Sequence, residues 1–159
     1  MDFVSRFGSK AYYGDAARLD ILESAQMDKA RAFVLAIDDV EGSLRTAEIV
    51  REHFPNVPIY ARARNRQHVH RLLDLSIKVI RRETFAASLD LSRSLLRGLD
   101  LSEAEVRRTV DTFEELDKKR LYDDYAHYTD DEKIRASARK QSEELEELFN
   151  QDARDLEKS

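Results

Sequence analysis

The sequence predicts an α/β protein, in which a parallel sheet is followed by an all-helical region. Short β-rich runs alternate with helical patterns as far as Arg82, and this alternation is typical of a parallel sheet. After Arg82 the strand signal ends, and long helical stripes of apolar residues take over. We therefore expect two regions, residues 1–82 and residues 83–159.

Four strands are expected in the first region, at residues 10–14, 30–39, 57–63 and 77–82. The second of them is a near-continuous apolar run, which is typical of a parallel strand covered on both faces. Residues 42–54 carry apolar side chains at helical spacing. Pro55 and Pro58 end that helix and open the third strand.

The second region is expected to consist of amphipathic helices. Gly98 is a candidate C-terminal cap for the first helix, and Ser102 before two glutamates predicts the start of the second. Thr129 or Asp130 is expected to cap the last helix, which is either a solvated helix packed on its own domain or a dimerisation arm. Leucines at helical spacing predict the apolar face of the first helix: Leu89, Leu95, Leu96 and Leu99.

Composition excludes several classes of protein. The 159 residues contain no cysteine, which excludes thiol catalysis and zinc–thiolate sites. A formal net charge of −5 and a pI near 5.5 argue against a general nucleic-acid binder. No apolar run approaches the roughly 20 residues of a membrane span, and Met1 begins no secretory signal, so we expect a soluble cytoplasmic chain.

No motif in the sequence predicts an enzyme. There is no nucleophile elbow and no metalloprotease helix, and His68 and His70 do not have the spacing of a metal pair. The basic stretch at residues 62–71 is the best candidate for nucleic-acid contact, but it lacks an aromatic side chain to stack on bases. We interpret it as a strand end followed by a solvated helix face.

Charged residues follow three successive predicted strands. Asp15 follows the first, at the turn into a helix, Asp38 and Asp39 end the second, and Arg62 and Arg64 end the third. Parallel α/β sheets bind ligands beyond the carboxyl ends of their strands. Paired acids and arginines there suit a polar ligand bearing phosphate, amine or ribose groups. Taken alone, Asp15 fits a plain helix N-cap better than a ligand contact.

A phosphate cradle is missing from this sequence. The chain has four glycines, none of them clustered, whereas a dinucleotide-binding loop requires the GxGxxG pattern. That loop and the helix after it supply the backbone donors and the dipole that hold phosphate. We therefore expect this chain to bind a nucleotide weakly.

Four segments together resemble a known family. "FGSKAYYGDAARLDILESA", "FVLAIDD", "EIVREHFPNVPIYARARN" and "RRETFAASL" are similar to the RCK or KTN regulatory domain of bacterial Kef glutathione-gated potassium efflux systems, which are potassium/proton antiporters. The tail "ARKQSEELEELFNQDARD" is closer to the KefB branch. By this resemblance the chain corresponds to the domain without its N-terminal GxGxxG half.

The resemblance implies a Rossmann-like domain that forms a homodimer, binds AMP or NAD(H) and gates a transmembrane antiporter domain in the same or an associated chain. It implies that reduced glutathione keeps the system closed and that glutathione adducts open it. The expected location is the cytoplasmic side of the bacterial inner membrane. An ancillary oxidoreductase subunit is a further expected partner, and no nucleic acid is expected.

The resemblance also assigns roles to individual residues. Asp15 and Ala16 would contact the adenine–ribose end of the nucleotide, with Asp38 and Asp39 beside them. The basic residue of the glutathione pocket, at the dimer interface, corresponds to Arg82. A further site residue of the glutathione pocket, asparagine in one branch, is Asp117 in this chain.

Two other functions remain open from the residues. A stand-alone dimeric interaction module derived from such a domain would use the helical arm to pair with itself or with another protein. A fragment of a nicotinamide-dependent enzyme would share the strand–helix alternation.

Overall fold

The computed structural model describes residues 14–156, which divide into two compact units between Glu83 and Thr84. Most of the strand predicted at residues 10–14 lies outside the described residues. Gly14, the described residue of it, lies in a bend.

The first unit alternates strands and helices, as predicted. Its strands are parallel and lie in the order β1-β2-β3, with Ala61 of β2 paired to Leu35 and to Ile80. The elements are α1 (Leu19–Ser24), a 3-10 turn (Met27–Lys29), β1 (Phe33–Leu35), α2 (Val40–His53), β2 (Ile59–Ala63), α3 (Arg66–Asp74) and β3 (Val79–Arg82).

The sheet of the first unit has one buried and one exposed face. Crossovers between parallel strands are right-handed, so α2 and α3, which join neighbouring strands in the same direction, pack on one face. Leu35, Ala61 and Ala63 are buried on that face. On the opposite face Tyr60 pairs with Val34 and Val79, and Val34 is 70% exposed. The prediction that residues 30–39 form a strand covered on both faces was therefore wrong.

Local hydrogen bonds fix where the helices of the first unit begin and end. Asp39 caps α2, which therefore begins two residues before the predicted start. At the end of α3, Ser76 adopts a left-handed conformation with φ of 58°, and the Ile77 N–H donates to Leu72 O at 3.2 Å. This is a Schellman motif, and burial of both Leu72 and Ile77 supplies its usual apolar contact.

The second unit is helical, as predicted, and contains α4 (Phe85–Gly98), α5 (Glu103–Asp123), a 3-10 turn (Asp124–His127) and α6 (Asp131–Leu156). The predicted capping box is confirmed, because the Glu105 carboxylate accepts from the Ser102 N–H at 2.7 Å and the Glu105 N–H donates to Ser102 Oγ at 3.4 Å. Of the two candidate caps of the last helix, Asp130 accepts from the Lys133 N–H at 3.1 Å.

The end of α4 differs from the prediction that Gly98 would be its cap. Gly98 is the last helical residue, and the left-handed position belongs to Asp100, with φ of 63°. The Leu101 N–H donates to Leu96 O at 3.3 Å, which again closes a Schellman motif. The chain reverses after Leu99 rather than at the glycine.

The core of the second unit lies along α5, where Val106, Val110 and Leu121 are buried. Only Leu89 among the leucines predicted to line the face of α4 is buried. Leu95 and Leu99 are each 61% exposed, so much of this apolar face is open to solvent. Within residues 14–156, no helix is long and apolar enough to span a bilayer.

Candidate functional site

The carboxyl ends of the three strands carry a connected set of charges. Arg62, near the end of β2, donates from Nη2 to Ala36 O at 2.8 Å and pairs through the same nitrogen with Asp38 Oδ1. Its Nη1 donates to Glu83 Oε1 at 3.1 Å. Arg62 therefore links the chain that follows β1 to the chain that follows β3, and we call this set the carboxyl-edge cluster.

Glu83 also forms an ion pair with a second arginine, Arg64. Arg64 Nη1 donates to Glu83 Oε2 at 3.0 Å, so each carboxylate oxygen of Glu83 has its own guanidinium. The Glu83 N–H donates to Ala63 O at 2.9 Å, which extends the β2–β3 pairing by one residue. Both main-chain and side-chain contacts thus fix Glu83 at the end of the sheet.

The two acids after β1 have different tasks. Asp38 reaches Arg62, and 79% of its side chain remains exposed. Asp39 Oδ2 accepts from the Gly42 N–H at 2.6 Å and so caps α2. A Cβ added at Gly42 would lie 2.9 Å from that oxygen, so a glycine suits this position.

The start of α2 is poorly suited to phosphate. A helix N-terminus attracts anions through its free N–H groups and its dipole. Here the Asp39 carboxylate already occupies the Gly42 N–H, and Glu41 adds a further negative charge in the first turn. Because carboxylates accept hydrogen bonds, the acids of this edge suit the hydroxyl and amino groups of a ligand.

Asp15 and Ala16 lie in a turn before α1. Asp15 Oδ1 accepts from the Ala17 N–H at 2.9 Å, and its carbonyl accepts from the Arg18 N–H at 3.0 Å. The N-cap of α1 is Arg18, so the interpretation of Asp15 as a plain helix N-cap was wrong. The described contacts of Asp15 stay within its own turn, and its role towards a nucleotide remains a prediction.

The two residues predicted to bind glutathione lie in different units. Arg82, half-buried, is the last residue of β3 and pairs with Ala63, on the face that the helices cover. Asp117 is buried on α5, with 6% of its surface exposed. Both residues take part in interactions within the protein. Their roles towards glutathione remain predictions.

Two buried histidines on α3 were missed by the sequence analysis. His68 and His70 are 1% and 4% exposed, so residues 62–71 do not form the solvated helix face that we predicted. His68 Nδ1 accepts from the Arg64 N–H at 3.2 Å, whereas its buried Nε2 has no partner among the described residues. The spacing of His68 and Leu72, one helical turn apart, was the signal that could have indicated this.

Burial also affects the charge of His68. It lowers the pKa of His68 below its ordinary value, and the nearby Arg71 guanidinium lowers it further, while Glu41 opposes both effects. Glu41 and Arg71 form a two-contact ion pair beside it, and this arginine holds the pKa of Glu41 low. No group of three or more potential metal ligands occurs within residues 14–156.

Two family models match consecutive parts of the chain. The model of the TrkA-N domain matches residues 2–82, and the model of the potassium efflux system KefB C-terminal domain matches residues 87–159. Together they cover both units. The KefB-like branch stays a prediction, because relatives that carry the KefC name also match this chain.

Similar proteins agree with these models. The glutathione-regulated potassium-efflux system proteins KefC of Escherichia coli O139:H28 and of Shigella boydii serotype 18 are each 37% identical over 157 residues. That alignment covers 98% of this chain and 25% of each relative, so the chain spans a quarter of their length.

A solved structure shows the same fold. The Kef CTD of Shewanella denitrificans, in its AMP-bound form, superposes with a TM-score of 0.70 at 36% identity, covering 74% of each chain. The parallel sheet with charged strand ends, the helical second unit and these matches agree with one another. The chain belongs to the family of C-terminal regulatory domains of Kef potassium efflux systems, with a TrkA-N part followed by a KefB C-terminal part.

Proposed function

We propose that this chain is the ligand-sensing regulatory domain of a glutathione-gated potassium efflux system and that it performs no catalysis itself. It would bind an adenine nucleotide, AMP or NAD(H), at the carboxyl edge of the first unit. It would bind glutathione or glutathione adducts through Arg82 and Asp117. Occupancy of these sites would gate potassium/proton antiport by a transmembrane domain.

The carboxyl-edge cluster is the observation that carries the nucleotide site. It places the exposed Asp38 carboxylate next to an engaged arginine, where parallel sheets bind ligands. The AMP-bound state of the similar Shewanella denitrificans domain supports the choice of an adenine nucleotide. We include Asp15, Ala16 and Asp39 in the same site on the basis of the family resemblance.

Self-association is the second part of the proposal. Leu91 and Leu95 of α4 and Leu99, its C-cap residue, repeat at four-residue intervals and are between 61% and 71% exposed. An exposed apolar stripe of this kind is typical of a surface that another chain covers. We propose a homodimer, which would lie at the cytoplasmic side of the bacterial inner membrane. An ancillary oxidoreductase would be an additional partner.

Calorimetric titration of the complete gene product with AMP tests the nucleotide site. Asp38→Asn should weaken AMP binding about tenfold, because a charged acceptor is lost. Glu48→Gln is the matched control, since Glu48 is an exposed acid in the middle of α2. Unchanged AMP affinity in Asp38→Asn, or no AMP binding by the unaltered protein, would contradict the proposal.

A further inference from the structure

Arg62 has its guanidinium engaged by the protein on two sides. Nη2 contacts Ala36 O and Asp38 Oδ1, and Nη1 contacts Glu83 Oε1. We infer that Arg62 is a positioning residue, which holds Asp38 in place for the nucleoside part of the ligand and does not bind the nucleotide's phosphate. The inference rests on the proposed nucleotide-binding function and specifies how its site recognises the ligand.

Most N–H donors of the Arg62 guanidinium already have acceptors in the protein, so the group is poorly placed to bind a phosphate. A guanidinium binds phosphate best through two parallel N–H donors. Both terminal nitrogens of Arg62 already have acceptors, and its Nε, although without a partner among the described residues, is buried away from solvent. A phosphate would have to displace Asp38 or Glu83. Displacing Glu83 would take the Arg62 guanidinium away from the Glu83 carboxylate. That loss is unfavourable because the Glu83 side chain is only 26% exposed and water cannot fully replace the lost partner.

Asp38 has the complementary properties. Its side chain is 79% exposed, whereas that of Arg62 is 32% exposed, so the pair is anchored at its arginine end. Asp38 uses one carboxylate oxygen for Arg62, and its exposure leaves the group accessible to a ligand. A carboxylate held this way accepts hydrogen bonds from hydroxyl or amino groups, which the ribose and the adenine of a nucleoside provide.

Glu83 keeps the arginine oriented. It binds Arg62 with one oxygen and Arg64 with the other, and its own main chain is fixed to Ala63. Lysine could not replace Arg62 in this arrangement, because a single ammonium group lacks the planar fork that reaches both acids at once. Arg62→Lys therefore keeps the charge and removes the bridge.

Comparison of AMP with adenosine tests the inference in the complete gene product by calorimetry. If Arg62 positions Asp38, Arg62→Lys weakens both ligands by a similar factor, about tenfold, the loss expected for one charge-assisted hydrogen bond. In the double variant with Asp38→Asn, the two losses should not add, because both changes remove one interaction. A loss confined to AMP would show that Arg62 contacts phosphate and would overturn the inference. Unchanged affinity for both ligands would overturn it as well.

Further variants separate binding from folding. Glu83→Gln leaves Arg62 and Asp38 in the chain but weakens the anchor, so it should reduce binding of AMP and adenosine together. Glu103→Gln removes a carboxylate from the Arg97 pair in the second unit and should change neither affinity. If the unaltered protein binds neither ligand, the proposed function fails and the inference with it. If the unaltered protein binds AMP and adenosine, but Arg62→Lys does not weaken the two ligands by a similar factor, the inference alone fails.

Discussion

The imidazole of His68 accepts a hydrogen bond at Nδ1 from the backbone N–H of Arg64, and this contact requires the neutral ring. Protonation of Nδ1 would replace the acceptor with a second donor, and the buried Nε2 already lacks a partner among the described residues. His68 thus ties α3 to the end of β2 only while it is uncharged.

This contact predicts loss of stability in mild acid. Because the pKa of His68 is lower in the folded protein than its ordinary value of 6.5, the unfolded chain binds more protons once the pH falls below that value. The contribution of His68 to the free energy of unfolding should therefore be fully present above about pH 6.5 and should decrease as the pH falls below that value. Thermal melting at pH values above and below this one measures the effect.

Asparagine variants provide the comparison. His68→Asn retains an acceptor for the Arg64 N–H and cannot titrate, so its melting temperature should change less over the same pH range. His53→Asn, at an exposed position, should retain the pH dependence of the unaltered chain. Identical pH profiles for His68→Asn and the unaltered chain would refute this role of His68.

Two helical glycines should respond to alanine in opposite ways. Gly98 is the last residue of α4 and has nothing within 4 Å of an added Cβ, so Gly98→Ala should stabilise the chain by up to about 1 kcal/mol. Gly42→Ala should destabilise it, because the new Cβ would displace the Asp39 cap. Chemical denaturation measures both changes, and destabilisation by Gly98→Ala would restore Gly98 as the cap.

The capping box should contribute measurably to stability. Ser102→Ala removes the acceptor for the Glu105 N–H, and loss of such a cap typically costs about 1 kcal/mol. Replacement by threonine or aspartate, which also cap helices, should restore most of the loss. A Ser102→Ala variant as stable as the unaltered chain would mean that water replaces the cap without cost.

The leucine stripe of α4 predicts self-association. Leu95→Glu places a charge in the middle of the stripe and should convert a dimer into a monomer in light scattering at high concentration. Ser94→Glu is the matched control, because Ser94 is an exposed neighbour on the same helix outside the stripe. A monomeric unaltered chain at the same concentration would contradict the proposed homodimer.

The 159 residues expressed alone should bind AMP weakly. Their four unclustered glycines supply no phosphate loop, so the adenosine end must provide the affinity through a few hydrogen bonds of about 1 kcal/mol each. Calorimetry should therefore find no micromolar AMP site in this chain, and such a site would show that other groups hold the phosphate.

Hydrophobic pattern and capping chemistry predicted the parallel strands, the helical second half and the Ser102 capping box, because these depend on local sequence. The hydrophobic pattern did not predict burial at positions where burial depends on which face of the sheet the helices cover. Val34 is apolar like its neighbours, yet it is exposed because both crossover helices cover the other face. His68 is polar by composition, but its position in a helix packed on the sheet buries it.

The candidate site was predictable only in part, because its charged residues follow local sequence but their pairing depends on the fold. That Asp38, Asp39, Arg62 and Arg64 lie at the ends of two neighbouring strands can be read from the sequence, and so can the edge they share. Which acid pairs with which arginine cannot, because Glu83 lies 21 residues from Arg62 in the sequence and approaches it only in the folded sheet. The division of tasks between Asp38 and Asp39 depends on side-chain geometry that the sequence does not encode locally.

Binding of reduced glutathione to the complete gene product tests the central proposal most directly. Arg82 and Arg81 are adjacent arginines whose side chains lie on opposite faces of β3, and Arg81 Nη1 donates to Ile80 O. By calorimetry, Arg82→Ala should weaken glutathione binding at least about tenfold, because a bidentate pair with a carboxylate is lost, and should leave AMP binding intact. Arg81→Ala should change neither. Glutathione affinity that is unchanged in Arg82→Ala, or lost equally in both variants, would contradict the assignment of Arg82 to a glutathione site.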